Sequence, residues 1–106
     1  MRNQVQLIGN VGINPEITNY ENGKKKVRFT LATHEKFKDK EGKQHRKTFW
    51  HHVYAWGPTA NYLAKAAKKG SALAITGKLV TNKYQSKNGT PRSFTSVEAK
   101  NAIALK

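Results

Sequence analysis

Residues 48–56 read Thr48-Phe49-Trp50-His51-His52-Val53-Tyr54-Ala55-Trp56, and they run through Gly57-Pro58 into Thr59-Ala60-Asn61-Tyr62-Leu63-Ala64-Lys65-Ala66-Ala67-Lys68-Lys69-Gly70. The first nine residues alternate. Trp50, His52, Tyr54 and Trp56 share one face of an extended chain, and Phe49, His51, Val53 and Ala55 share the other. After Gly57-Pro58 the period changes. Ala60, Leu63, Ala64 and Ala67 fall at i, i+3, i+4 and i+7, which predicts a helix over 59–69. Its last-turn lysines lie near the negative end of the helix dipole, and Gly70 stands at the C′ position.

Working outward from this strand-to-helix junction, the remaining segments read as strands. Toward the N-terminus, Val5, Leu7, Gly9 and Val11 alternate with Gln4, Gln6, Ile8 and Asn10. This is a first strand that bends near Gly9 and Gly12, continues past Pro15 and closes at Asn22-Gly23. Val27, Phe29, Leu31 and Thr33 alternate with Arg28, Thr30 and Ala32, giving a second strand with one buried face. Lys36 to Lys47 is strongly basic and nearly devoid of apolar residues, so it reads as a mobile arm between two strands. Toward the C-terminus, Ser71 opens a fourth strand through Leu73, Ile75, Gly77 and Leu79 to Tyr84, and Asn88-Gly89 supplies a hairpin turn. A fifth strand begins near Arg92, with Phe94, Val97, Ala99, Ile103 and Leu105 in imperfect alternation. The order is β-β-β-α-β-β, which is the layout of a mainly β, five-stranded OB-fold barrel with one short helix between strands three and four. At 106 residues the whole chain, 1–106, is expected to form a single domain.

Composition narrows the chemistry. Twenty Lys and Arg against six Asp and Glu give a net charge of +14, which calls for an anionic partner. The absence of cysteine excludes disulfides, thiolate metal sites and cysteine nucleophiles. The acids Glu16, Glu21, Glu35, Asp39, Glu41 and Glu98 are scattered and so make no metal-dependent nuclease cluster. His51 and His52 point to opposite faces of one strand and cannot share an ion. Ser71, Ser86, Ser93 and Ser96 sit in no nucleophile-elbow context. Neither a catalytic constellation nor a metal or cofactor site is expected. With no apolar run long enough to span a membrane and no signal core, the chain reads as a soluble cytoplasmic protein.

The aromatic residues carry the functional signal. One face of the third strand must enter the core, and Val53 and Ala55 with Phe49 already supply one. The face holding Trp50, His52, Tyr54 and Trp56 is then surplus. Two assignments stay open: the tryptophans fill the barrel while Val53 and Ala55 lie under a partner subunit, or they face a ligand. Phe37 in the basic arm and Tyr84 between Lys83 and Lys87 favour the second, because isolated rings among cations are poor core sites. Rings interleaved with Lys and Arg suit single-stranded nucleic acid, where each base offers a π-face and each linkage a phosphate. Lys36, Lys38, Lys40, Lys43, Arg46, Lys47, Lys83, Lys87 and Arg92 are the candidate phosphate contacts, with His52 and Tyr54 in support.

Several motifs resemble the bacterial single-stranded DNA-binding protein family over nearly the whole length. They are Leu7-Ile8-Gly9-Asn10-Val11-Gly12 with Pro15-Glu16, Asn22-Gly23 before Phe29-Thr30-Leu31-Ala32-Thr33, and Phe37-Lys38-Asp39-Lys40. Trp50-His51, Trp56-Gly57, Tyr62-Leu63, Lys69-Gly70-Ser71, Gly77-Lys78-Leu79 and Tyr84 follow in order. The resemblance implies sequence-independent binding and protection of single-stranded DNA in replication, recombination and repair. It implies base stacking by Phe37, Trp50, Trp56 and Tyr84, a homotetramer (alternatively a dimer), and an interface near Val5, Leu7 and His51. The family's usual Gly/Pro/Gln-rich tail with an acidic tip is not seen before Lys106, so recruitment of replication or repair enzymes through such a tail is not expected. The alternatives are a primosomal or plasmid-borne accessory protein of the same fold, or a basic protein that packs against RNA.

Overall fold

Val53 and Ala55 are fully buried, whereas Trp50 and Trp56 are 61% and 39% exposed, so the face opposite the tryptophans is the one that enters the core. The computed structural model describes residues 2–105 as β1 (Val5–Val11), β2 (Glu16–Asn19), β3 (Lys25–Lys38), β4 (Gln44–Trp56), α1 (Gly57–Ala66), β5 (Ala72–Gln85) and β6 (Pro91–Leu105). The sheet order is β1-β5-β6-β4-β3-β2, and an added β1–β3 pairing closes β1, β5, β6, β4 and β3 into a five-stranded barrel. Every pairing is antiparallel except β4 with β6. Val27, Phe29 and Leu31 of β3 meet Val53 of β4, Leu73 and Ile75 of β5 and Val97 of β6 inside. Ala60 and Leu63 of α1 join that core, which is why a short helix is retained: its one apolar stripe packs onto the barrel. None of the helices among the described residues is long and apolar enough to cross a membrane.

Four details depart from the sequence reading, each for a local reason. The first strand does not run on past Pro15. It ends at Val11, where Gly12 N–H donates to Thr30 O, and the chain pairs again with β3 as the separate, fully exposed β2. The helix spans Gly57–Ala66, not 59–69. Ala67 is already extended, and Gly70 at φ +90° serves a tight turn in which Ser71 N–H donates to Lys68 O. In β6, Thr76 pairs with Asn101 but Gly77 with Ala99, so Lys100 is an extra, bulged residue. Beyond it the phase reverses: Ala102 packs against the core, and Ile103 is 63% exposed.

The fourth departure matters most for function. Residues 36–47 form no loose arm; β3 and β4 pair continuously out to Lys38 with Gln44. A carboxylate ties the tip. Asp39 Oδ1 accepts the backbone N–H of Glu41 and of Lys43 at 2.9 Å each, and Oδ2 lies 2.7 Å from Nε2 of His45. Stacking of His45 on Phe37, with centroids 5.3 Å apart, extends the latch to an aromatic ring. The His45 contact, followed by the backbone donors, holds the Asp39 carboxyl below its ordinary value of 3.8. Because the folded value is the lower one, the contribution is present above pH about 4 and is lost as acid titrates the folded carboxylate. The protection of the Glu41 and Lys43 amides, their exchange rate measured against the intrinsic rate at each pH, should therefore fall selectively below that pH, and Asp39→Ala should show the low protection at neutral pH.

Candidate nucleic-acid interface

Strand pairing builds the outer face row by row. Trp56, Tyr54, His52 and Trp50 of β4 stand opposite Lys26, Arg28, Thr30 and Ala32 of β3. Cross-strand partners point to the same side, so two cations fall beside two rings. Lys26 Nζ lies 5.0 Å from the Tyr54 ring centroid and 5.3 Å from that of Trp56, within cation–π range. From the far side of β3, Tyr20 packs against Trp56 with centroids 5.5 Å apart, and Glu16 holds Arg28 at 2.7 Å. His52 meets Phe94 of β6 at 4.8 Å with the rings inclined by 55°. Below them Glu98, half buried, binds Lys100 at 2.7 Å, and that contact holds its carboxyl below the usual range. Burial first, and then the Glu98 charge, push the Tyr54 phenol up.

The expected site residues are distributed over this face and two projecting hairpins. Trp50, His52, Tyr54 and Trp56 share the continuous outer row. Phe37 is 50% exposed but pairs with His45, which places it in the alternate column with Thr33 and Phe49 and not with Trp50. Lys36, Lys38 and Arg46 take the tryptophan column of that hairpin, whereas Lys47 reaches over Phe49 at 5.1 Å. Lys40 and Lys43 are exposed at its tip. Tyr84, 53% exposed, pairs with Arg92 on the β5–β6 hairpin, where Lys83 adds a cation to a groove of about 650 Å³ and Lys87 lies in the turn. The projecting hairpins expand the radius of gyration to 16.0 Å, against about 13 Å for a compact chain of this size.

His51 faces inward from the opposite column, where its Nε2 lies 2.9 Å from Thr33 Oγ1. Val5 and Leu7 also turn inward and pack against the core, so the outward-facing apolar residue of β1 is Ile8, 61% exposed. Tyr20, Lys26, Arg28 and Phe94 belong to the face without having been singled out in the sequence. For Lys26 and Arg28 the signal existed, since both alternate with the buried Val27 and must share its opposite side. Phe94 had none, because its neighbour His52 is reached only through the parallel β4–β6 pairing.

An OB barrel with a row of exposed rings and cations along β3 and β4 defines the class: an oligonucleotide-binding type of β-barrel. Comparison with known proteins carries this further. The model of the single-strand binding protein family matches residues 2–105, and the chain belongs to that family. It is 38% identical to single-stranded DNA-binding protein 1 of Chlorobaculum tepidum, over 90% of this chain and 59% of that protein. To single-stranded DNA-binding protein 1 of Xylella fastidiosa it is 36% identical, over 92% of this chain and 73% of the relative. The chain thus spans well under two thirds of the Chlorobaculum protein's length. Among solved structures, a Plasmodium falciparum SSB complex with ssDNA superimposes with a TM-score of 0.89 at 29% identity, covering 100% of this chain and 97% of the other. A deletion mutant of the Thermus aquaticus single-stranded DNA-binding protein shares the fold, with a TM-score of 0.84 at 24% identity over 99% of this chain and 51% of that one.

Proposed function

We propose that the protein binds single-stranded DNA with little regard to sequence, protecting it during replication, recombination and repair. The observation that carries this reading is the uninterrupted outer row of Trp50, His52, Tyr54 and Trp56 set against Lys26 and Arg28. Stacking needs unpaired bases, and the +14 charge supplies the phosphate attraction that any nucleic acid would feel. Tyr84 extends the track onto the β5–β6 hairpin, Phe37 offers a stacking ring on the other side of the β3–β4 hairpin, and the exposed lysines and arginines of both hairpins take phosphates. Titration with oligo-dT, a duplex of equal length and a structured RNA at one salt concentration tests it. Oligo-dT should bind far more tightly than either competitor, and equal affinity for all three would reject the reading.

The assembly we propose is a homo-oligomer, a tetramer by family likeness, bound through the wall opposite the aromatic row. In support, Ile8 of β1, Ala74 of β5 and Ile103 of β6 pair across one row, and both isoleucines are more than 60% exposed. An apolar row of this kind is a liability in a free monomer. Light scattering should return a multiple of 11.9 kDa for the wild type, whereas Ile103→Glu should return the single-chain mass.

A further inference from the structure

Between the rows of β4 and β6 the outer face is concave. This groove, about 310 Å³, is walled by Tyr54 and Trp56 on one side and Phe94 on the other, with Asn82, Lys26 and Arg28 on its rim. Its size sits at the low end of small-molecule pockets, which span roughly 300–1,000 Å³. Phe94 is 43% exposed: it lies three residues from the buried Val97 and therefore on the opposite face of the strand. Its ring is not spent on the core. It packs instead against His52, so one edge is fixed and the rest of the ring stays open to the groove. Asn82, directly opposite Phe94 on β5, is exposed and presents both a donor and an acceptor toward the same space. Lys26 and Arg28 stand across the groove, where a linked phosphate could sit without leaving it.

We propose that this groove is a binding pocket for one unpaired nucleobase, with Phe94 as its stacking surface and His52 as the residue that positions the ring. The proposal deepens the single-stranded DNA reading and rests on it. A flat π-system is the ligand that fits: the groove offers an aromatic wall, an amide suited to a base edge and two cations for the backbone, but no cluster of carboxylates or thiols for a metal. Placing a base here also joins the two parts of the track, since Asn82 adjoins Lys83 and Tyr84 on β5 while Trp56 belongs to the β3–β4 face. The strand would pass from one hairpin to the other through the groove, without having to go round it.

Equilibrium titrations with oligo-dT, and with oligo-dT in which thymines are replaced one at a time by an abasic linker, test the pocket. Phe94→Ala should weaken oligo-dT about 5- to 150-fold, the range for removal of one base stack, with the salt dependence unchanged. Phe94→Tyr should retain binding, and Phe94→Leu, which keeps apolar bulk and therefore the fold, should lose it. At one position of the oligonucleotide the abasic linker should weaken the wild type but not Phe94→Ala, marking the base that occupies the groove. If Phe94→Ala and Phe94→Leu bind oligo-dT as the wild type does while Trp50→Ala is impaired, the pocket is wrong and single-stranded DNA binding stands. If neither Phe94→Ala nor Trp50→Ala is impaired, the underlying reading falls, and the pocket with it.

Discussion

Gly77→Val should destabilise the barrel by about 3 kcal/mol or more and lower the melting temperature by ~12 °C or more, the scale expected for overpacking in a small domain. Gly77 sits where β6 carries its bulge, and a β-carbon there would strike the backbone carbonyl of Glu98, with the Glu98 carbonyl carbon at 2.8 Å and Ala99 Cα at 3.0 Å. These are backbone atoms, so no side-chain rotation relieves the clash. Relief requires β5 and β6 to separate where Val97 and Ala99 enter the core and where Glu98 ties Tyr54's neighbourhood to Lys100. Thermal unfolding followed by circular dichroism measures the effect. A Gly77→Val protein melting within two or three degrees of the wild type would mean that β5 and β6 can part at the bulge at little cost.

Removal of a ring from the outer row should produce the converse phenotype, a protein that folds and binds more weakly. Trp50→Ala and Trp56→Ala should each cost about 1–3 kcal/mol of affinity for oligo-dT, roughly 5- to 150-fold. Trp50 is 61% exposed, so its truncation should cost far less stability than the ~3–5 kcal/mol of a buried tryptophan. Trp56, packed on Tyr20 and beneath Lys26, should lose more stability than Trp50 but remain folded. The salt dependence separates the two binding forces. Ring variants should keep the wild-type log–log slope, whereas Lys43→Ala and Lys83→Ala should flatten it by up to about 0.7 for each phosphate that is no longer neutralised. A sharp fall in melting temperature for Trp50→Ala, with the folded fraction binding normally, would place that ring in the core and remove it from the site.

The two experiments address what was ambiguous in the sequence and what was not. Alternation along 48–56 identified two faces but left open which one was buried. Composition could not decide, because Trp, Tyr and His serve a core or a ligand equally well. The partner row on β3 decides it: Phe29 and Leu31 stand opposite Val53 and His51, while Lys26 and Arg28 stand opposite Trp56 and Tyr54. A row containing two cations and four large polar rings cannot be desolvated cheaply, so it faces out. The same pairing explains why residues 36–38 and 44–47, which lack core residues, are nonetheless ordered as strands on either side of a tight turn. Their backbone hydrogen bonds and the Asp39 latch supply locally what a hydrophobic face would supply elsewhere.

By itself, the sequence determined the quantities that depend on near neighbours in the chain. These are the +14 charge, the strand-to-helix switch at Gly57-Pro58, the order of the five barrel strands around the one helix, and the alternation that makes Trp50 and Trp56 companions. Its motifs also carried the family resemblance. Tertiary structure alone decided everything that depends on register between distant strands. The bulge at Lys100 turns Ile103 outward, and Phe94 arrives beside His52 across a parallel pairing. The physical reason is the two-residue repeat of a strand. A shift of one residue in pairing exchanges every inward and outward side chain, and that shift is set by contacts between segments dozens of residues apart, where no local pattern records it.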